Sequence, residues 1–202
     1  MRSTRLSKAL GPLMLGTLLA VAGCAKSANV ASTAGTSLTR GLSADNRYTG
    51  VGLYGSGTIQ AGCDEGGFLG GELEGLSSMF SDAPFGSRWR ASLLAGYAWT
   101  PLPHRPRLGF EIYGHGGGGR MPAGDGTSTT WVWGPRIGVP IRLAPSVPIW
   151  DAERTLWPTW MLVPSAGANF YVPSEAGADS AVRSELTVHL AFRLHLWSSL
   201  VP

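Results

Sequence analysis

The chain has 202 residues, with 16 Lys and Arg against 13 Asp and Glu, a formal charge of +3. Three of those bases, Arg2, Arg5 and Lys8, crowd the first nine residues, and the other 13 match the 13 acids. A neutral remainder with no basic run and no interleaved aromatic patch excludes nucleic acid as the partner behind a basic isoelectric point.

Residues 10–22, LGPLMLGTLLAVA, form an apolar stretch too short to span a membrane as a finished helix. A basic start followed by such a stretch is a secretory signal, assigned here to residues 1–23. It ends in Leu19-Ala20-Val21-Ala22-Gly23-Cys24. That ending resembles the lipobox of bacterial lipoproteins, in which small residues precede an obligatory cysteine. The resemblance implies that the Cys24 thiol receives a diacylglyceryl group, that cleavage follows Gly23, and that the new amine is acylated with a fatty acid such as palmitate. Ala25 and Lys26 follow, with no Asp, which in that family implies sorting to the outer membrane of a Gram-negative cell envelope. With Cys24 lipidated, Cys63 has no partner for an internal disulfide, and no His neighbours it in sequence.

Residues 24–46 are small and polar and read as a lipid-anchored tether or a weak first strand; residues 47–202 form one domain. Gly is abundant, at 29 residues, Pro reaches 14, and Lys is absent after Lys26. No window keeps a helical period without a Gly or Pro break, so the fold class is all-β. Alternating segments place strands at about 48–61, 68–77, 87–100, 107–117, 130–143, 157–172 and 184–197. An even strand count requires one more, at about 29–44. Pro135, Pro140 and Pro164 fall inside these segments and predict bulges or strand ends, because proline cannot donate to a ladder. Residues 114–119, GHGGGG, lack the Lys-Ser/Thr of a phosphate loop and read as a flexible strand end or loop.

Neighbouring residues of a strand face opposite sides, so charge parity sorts the faces. Glu72 and Glu74 share one parity, as do Arg88 and Arg90. The same holds for Arg107, Glu111 and His115, for Arg136 and Arg142, and for Glu185, His189, Arg193 and His195. The opposite faces carry Leu93, Tyr97, Phe110, Ile112, Ile137, Val139, Val188, Leu190 and Phe192, with no charge between residues 68 and 197. A soluble β-sandwich or lipocalin-like barrel would bury the apolar face; a transmembrane barrel would give it to lipid and fold the charges inward. Aromatic placement favours the second. Trp89 and Trp99 share a face ten residues apart, roughly 25 Å along a membrane normal for a tilted strand. Trp131 and Trp133 open one strand, Trp157 and Trp160 another, and Trp197 closes the last.

Across residues 46–197 the chain is similar to small outer-membrane β-barrel proteins. The resemblance implies an antiparallel up-and-down barrel of about eight strands. Its interface aromatics would be Trp89, Trp99, Trp131, Trp133, Trp160 and Trp197. Its interior would hold Glu72, Glu74, Arg88, Arg90, Arg107, Glu111, His115, Arg136, Arg142, Glu185, His189 and Arg193. The chain departs from the pattern at its end, where Ser-Ser-Leu-Val-Pro follows Trp197. Loops near 78–86, 118–129 and 173–182 would face outward from the cell.

Three functions compete at this point. The first is a structural or weakly pore-forming outer-membrane lipoprotein without catalysis. Its partners would be outer-membrane lipid and an envelope protein of unknown identity. The second is a periplasmic sandwich or lipocalin-like lipoprotein binding a ligand or protein. The third is a lipid-modifying hydrolase using His195 with Ser198 or Ser199. No cofactor is expected, and no metal site, since His189 and His195 stand roughly 20 Å apart along one strand.

Overall fold

The structure, a computed structural model, describes residues 27–42, 49–62, 65–81, 87–101, 106–123, 126–144, 156–173 and 183–199. The signal, Cys24 and Cys63 lie outside the described residues. Among them the chain forms only strands: β1 (Ser27–Gly41), β2 (Thr49–Gly62), β3 (Glu65–Ser81), β4 (Ser87–Trp99), β5 (Phe110–Ala123), β6 (Gly126–Gly138), β7 (Ile141–Arg142), β8 (Leu156–Pro173) and β9 (Arg183–Ser199). Each sequence-adjacent pair from β1 to β6 is antiparallel. The same holds for β8 and β9, and β6 pairs directly with β8.

Two features close the sheet on itself. β1 pairs with β9 along its whole length, from Ser27 opposite Ser199 to Gly41 opposite Glu185. β7 prolongs β6 beyond Pro140: the Val139 N–H donates to the Pro164 carbonyl at 3.0 Å and the Leu143 N–H to that of Trp160 at 2.9 Å. β6 and β7 are therefore one stave interrupted by a proline that has no N–H to give. The result is a closed antiparallel up-and-down barrel of eight strands. Neither a two-sheet sandwich nor an open edge is present among the described residues.

The expected first strand exists and lies at Ser27–Gly41, a few residues earlier than its weak pattern suggested. Two expectations are corrected. The Gly-rich run at 116–119 lies inside β5, paired on both sides, and not in a loop. The link expected over 118–129 shrinks to residues 124–125, because β5 continues to Ala123 and β6 starts at Gly126. The physical reason is packing: a Cβ on Gly117 would stand 1.9 Å from the Ala91 carbonyl oxygen. Only glycine lets β4 and β5 approach so closely. Pro135 sits within β6 opposite Gly114, and pairing with β8 lapses at Gly134 and Pro135 before resuming at Arg136 opposite Gly167. Pro164 sits within β8 opposite Leu190 and contributes its carbonyl.

Candidate functional site

Burial alternates along the staves with the period of two that a closed sheet imposes. In β2 the inward residues are Tyr54, Ser56 and Thr58 and the outward ones Val51, Leu53 and Ile59. The outward wall is apolar and exposed around the barrel: Val30 and Leu38 on β1, Leu73 on β3, Leu93 and Tyr97 on β4, Ile112 on β5, Ile137 on β6, and Val188, Leu190 and Phe192 on β9. Leu93, at the centre of β4, is 76% exposed. Trp89, Trp99, Trp131, Trp133 and Trp160 stand on this wall as exposed side chains, and Trp133 stacks on Phe170 at 4.5 Å. Trp197 is half-buried. The wall also carries charge beyond the strands whose parity was read. Arg40 and Arg120 point outward near the end of the barrel opposite the chain termini. Arg120 was missed because β5 is longer than its alternation suggested.

Inside, the charges meet across the bore. Glu72 and Glu74 on β3, Glu111 on β5 and Glu185 on β9 face Arg88 and Arg90 on β4, Arg136 on β6 and Arg193 on β9. Four carboxylates thus match four guanidinium groups. Arg88 donates to both oxygens of Glu185 at 2.6 and 2.8 Å, and Arg193 to both of Glu111 at 2.7 and 2.9 Å. Glu74 Oε2 is shared, accepting from Arg90 at 2.6 Å and from Arg136 at 2.8 Å. Glu72 stands further off, 3.6 Å from Arg136 and 3.9 Å from Arg90. Removing charges from water is costly, and only paired, well-oriented contacts of this kind offset it.

Neutral groups join Arg88, Glu185, Arg90, Glu74 and Arg136 into one network. Arg90 Nη1 donates to His115 Nε2 and to Asn169 Oδ1, both at 3.0 Å. Asn169 donates onward to Glu185 at 3.0 Å, and the Tyr171 hydroxyl to the same oxygen at 3.1 Å. The Arg136 guanidinium carbon lies 5.9 Å from the ring centres of both Tyr54 and Tyr113, and its Nη1 donates to their hydroxyls at 3.3 and 3.4 Å. Tyr54 also lies against His189, ring centres 4.2 Å apart. Two cavities of about 10 Å3 flank the network, each with room for about one water molecule. One borders Arg88, Arg90 and Tyr171, the other Glu111, Arg193 and His195.

Of the twelve residues expected inside, Glu72, Glu74, Arg90, Glu111, His115, Arg136, Glu185 and His189 are buried. Arg88, Arg193 and Arg142 are half-buried. Arg107 is a correction: it is exposed, because β5 starts only at Phe110 and Arg107 lies ahead of its ladder. Tyr54, Tyr113, Asn169 and Tyr171 were missed as network members, although Tyr113 shares the parity of Glu111 and His115. Among the described residues the bore is occupied by charged and polar side chains rather than an apolar ligand cavity. His195 is buried beside the cavity that Glu111 and Arg193 line; the side chains of Ser198 and Ser199 lie outside the described residues.

No family model and no curated protein matches the chain. Among solved structures, Neisserial surface protein A is similar with a TM-score of 0.50 at 12% identity, covering 84% of this chain and 96% of that one. The outer membrane protein OprG from Pseudomonas aeruginosa matches at a TM-score of 0.32 and 11% identity, over 89% of this chain and 99% of that one. The first likeness agrees with the eight-strand up-and-down barrel.

Proposed function

We propose that the chain is an outer-membrane barrel protein, lipidated at Cys24, with a structural rather than a catalytic role. In this reading its bore is closed to solutes near neutral pH. The observation that carries the proposal is the inversion of the usual globular plan. Large apolar side chains are exposed around the wall while four ion pairs lie within, two of them, Arg90–Glu74 and Arg136–Glu74, fully buried. Water gives no reason to expose Leu93 or Phe192 and bury Arg136; a hydrocarbon solvent gives both. The wall tryptophans support the placement, with Trp99 and Trp160 near the end that holds the termini and Trp89 and Trp131 toward the other.

Cys24 precedes Ser27, the first residue of β1, by three positions. That length reaches at most about 10 Å. Acyl chains on Cys24 would then enter the leaflet nearest the terminal end of the barrel. With the termini on the periplasmic side, that is the inner leaflet of the outer membrane.

The test is a Cys24→Ala variant exported behind a conventional cleavable signal, its membranes washed with alkaline carbonate. Retention without lipid, with a shift in gel mobility between unheated and boiled samples, is the expected result. Release as a folded soluble monomer would overturn the reading.

A further inference from the structure

The Arg90 contact inside the bore holds only while its histidine is uncharged. An arginine has donors and no acceptor, so the 3.0 Å contact between Arg90 Nη1 and His115 Nε2 requires that nitrogen to accept. Its proton then sits on Nδ1, which has no hydrogen-bond partner. A second proton on the ring would set donor against donor and cation against cation. The groups facing His115 are Arg90 from β4, Asn169 from β8, Glu74 from β3 and Arg136 from β6. His189 is 1% exposed and neither ring nitrogen has a partner. It faces Tyr54 from β2, Glu74 from β3, Arg88 and Arg90 from β4 and Arg136 from β6. Its pairing neighbours on β1 and β8, Ser37 and Ser165, are uncharged.

The one carboxylate facing both rings, Glu74, is already shared by two arginines. Glu111 and Glu185 each take a two-point contact from one arginine, and Glu74 is shared by two. Glu72 lies between Arg90 and Arg136. We infer that the barrel is an acid-opened, anion-selective pore: charging His115 and His189 breaks the four-to-four balance at the waist of the bore, loosens Arg90 and Arg136 from it, and admits small anions as counter-charge. The two small cavities on either side of the waist are the ends such a path would join. This inference rests on the membrane-inserted reading above.

The experiment is planar-bilayer recording of the purified barrel under a potassium chloride gradient, at about pH 7.5 and about pH 2.5. Wild type is expected to be silent at the higher pH. Its conductance should rise about tenfold or more in acid, with a reversal potential displaced toward chloride. His115→Gln keeps an acceptor for Arg90 and cannot titrate. The His115→Gln/His189→Gln double variant should stay closed at both pH values. Should the double variant not fold, by its heated-versus-unheated gel mobility, His115→Gln alone carries the comparison, with at least a severalfold loss of acid current expected. A wild type silent in acid, a cation-selective acid current, or non-titrating variants that open as wild type does would each overturn the inference. In the last case the carboxylates would be the groups that titrate. A protein that never enters the bilayer would instead overturn the proposed membrane function.

Discussion

Arg136 on β6 reaches across the bore to Glu74 on β3, 62 residues away in sequence, and closes to 2.8 Å. Glu74 also holds Arg90, so one carboxylate ties three staves together at the waist of the barrel. Glu72, two residues earlier, approaches the same arginines, but its Oε2 accepts no hydrogen bond.

That contrast sets the first prediction. Glu74→Leu leaves two buried guanidinium groups short of a partner and should cost about 3–5 kcal/mol. Glu72→Leu should cost clearly less. Urea midpoints of the barrel refolded in detergent, read by gel mobility, measure both. Equal losses would mean that the hydrogen bonds to Glu74 do not decide the difference.

The pair formed by Arg193 and Glu111 is nearer the terminal end and makes two parallel contacts. In a double-mutant cycle with Arg193→Leu and Glu111→Leu, the coupling should fall at the upper end of the usual range, about 2–3 kcal/mol. Additive losses would show that the pair contributes little beyond its separate side chains.

Leu93 occupies the centre of β4, between Trp89 and Trp99 on the same face. Leu93→Arg should destabilise the lipid-inserted barrel by about 2–4 kcal/mol, the penalty for a cation near a bilayer midplane. An exposed site in water would tolerate the change or gain solubility, so the sign of the effect separates the two solvents.

Glycine substitutions should divide by face. Gly117→Ala drives a methyl into the Ala91 carbonyl and should cost about 1–3 kcal/mol or prevent folding. Gly75→Ala meets nothing within 4 Å and should stay within about 0.5 kcal/mol of wild type. The yield of the unheated, fast-migrating species gives a first reading of both.

Much of this was legible in the order of residues. Alternation gave the strands, and the shared parity of Glu72 with Glu74 and of Arg88 with Arg90 gave the inward face. Two things were hidden. Strand ends were blurred where small residues carry no hydrophobic contrast, as along β1 and the glycines of β5, which is how Arg120 and the length of β5 escaped. Partner choice was hidden too. Parity says which residues point inward, whereas the bore decides who meets whom, and Arg88 finds Glu185 97 residues away. Tyr54 and Tyr113 were not singled out, because a tyrosine shows its polar tip only when a partner such as Arg136 is in reach.

The seam between β1 and β9 bears on biogenesis. Ser27 and Ser199 are opposite each other, so the first strand to be made finds its second neighbour only when the last has arrived. Until then both flanks of the growing sheet are unsatisfied and adhesive. Completion is thus a single late event, and a chain cut short before β9 would keep two raw edges, a substrate for proteases and aggregation rather than a smaller barrel.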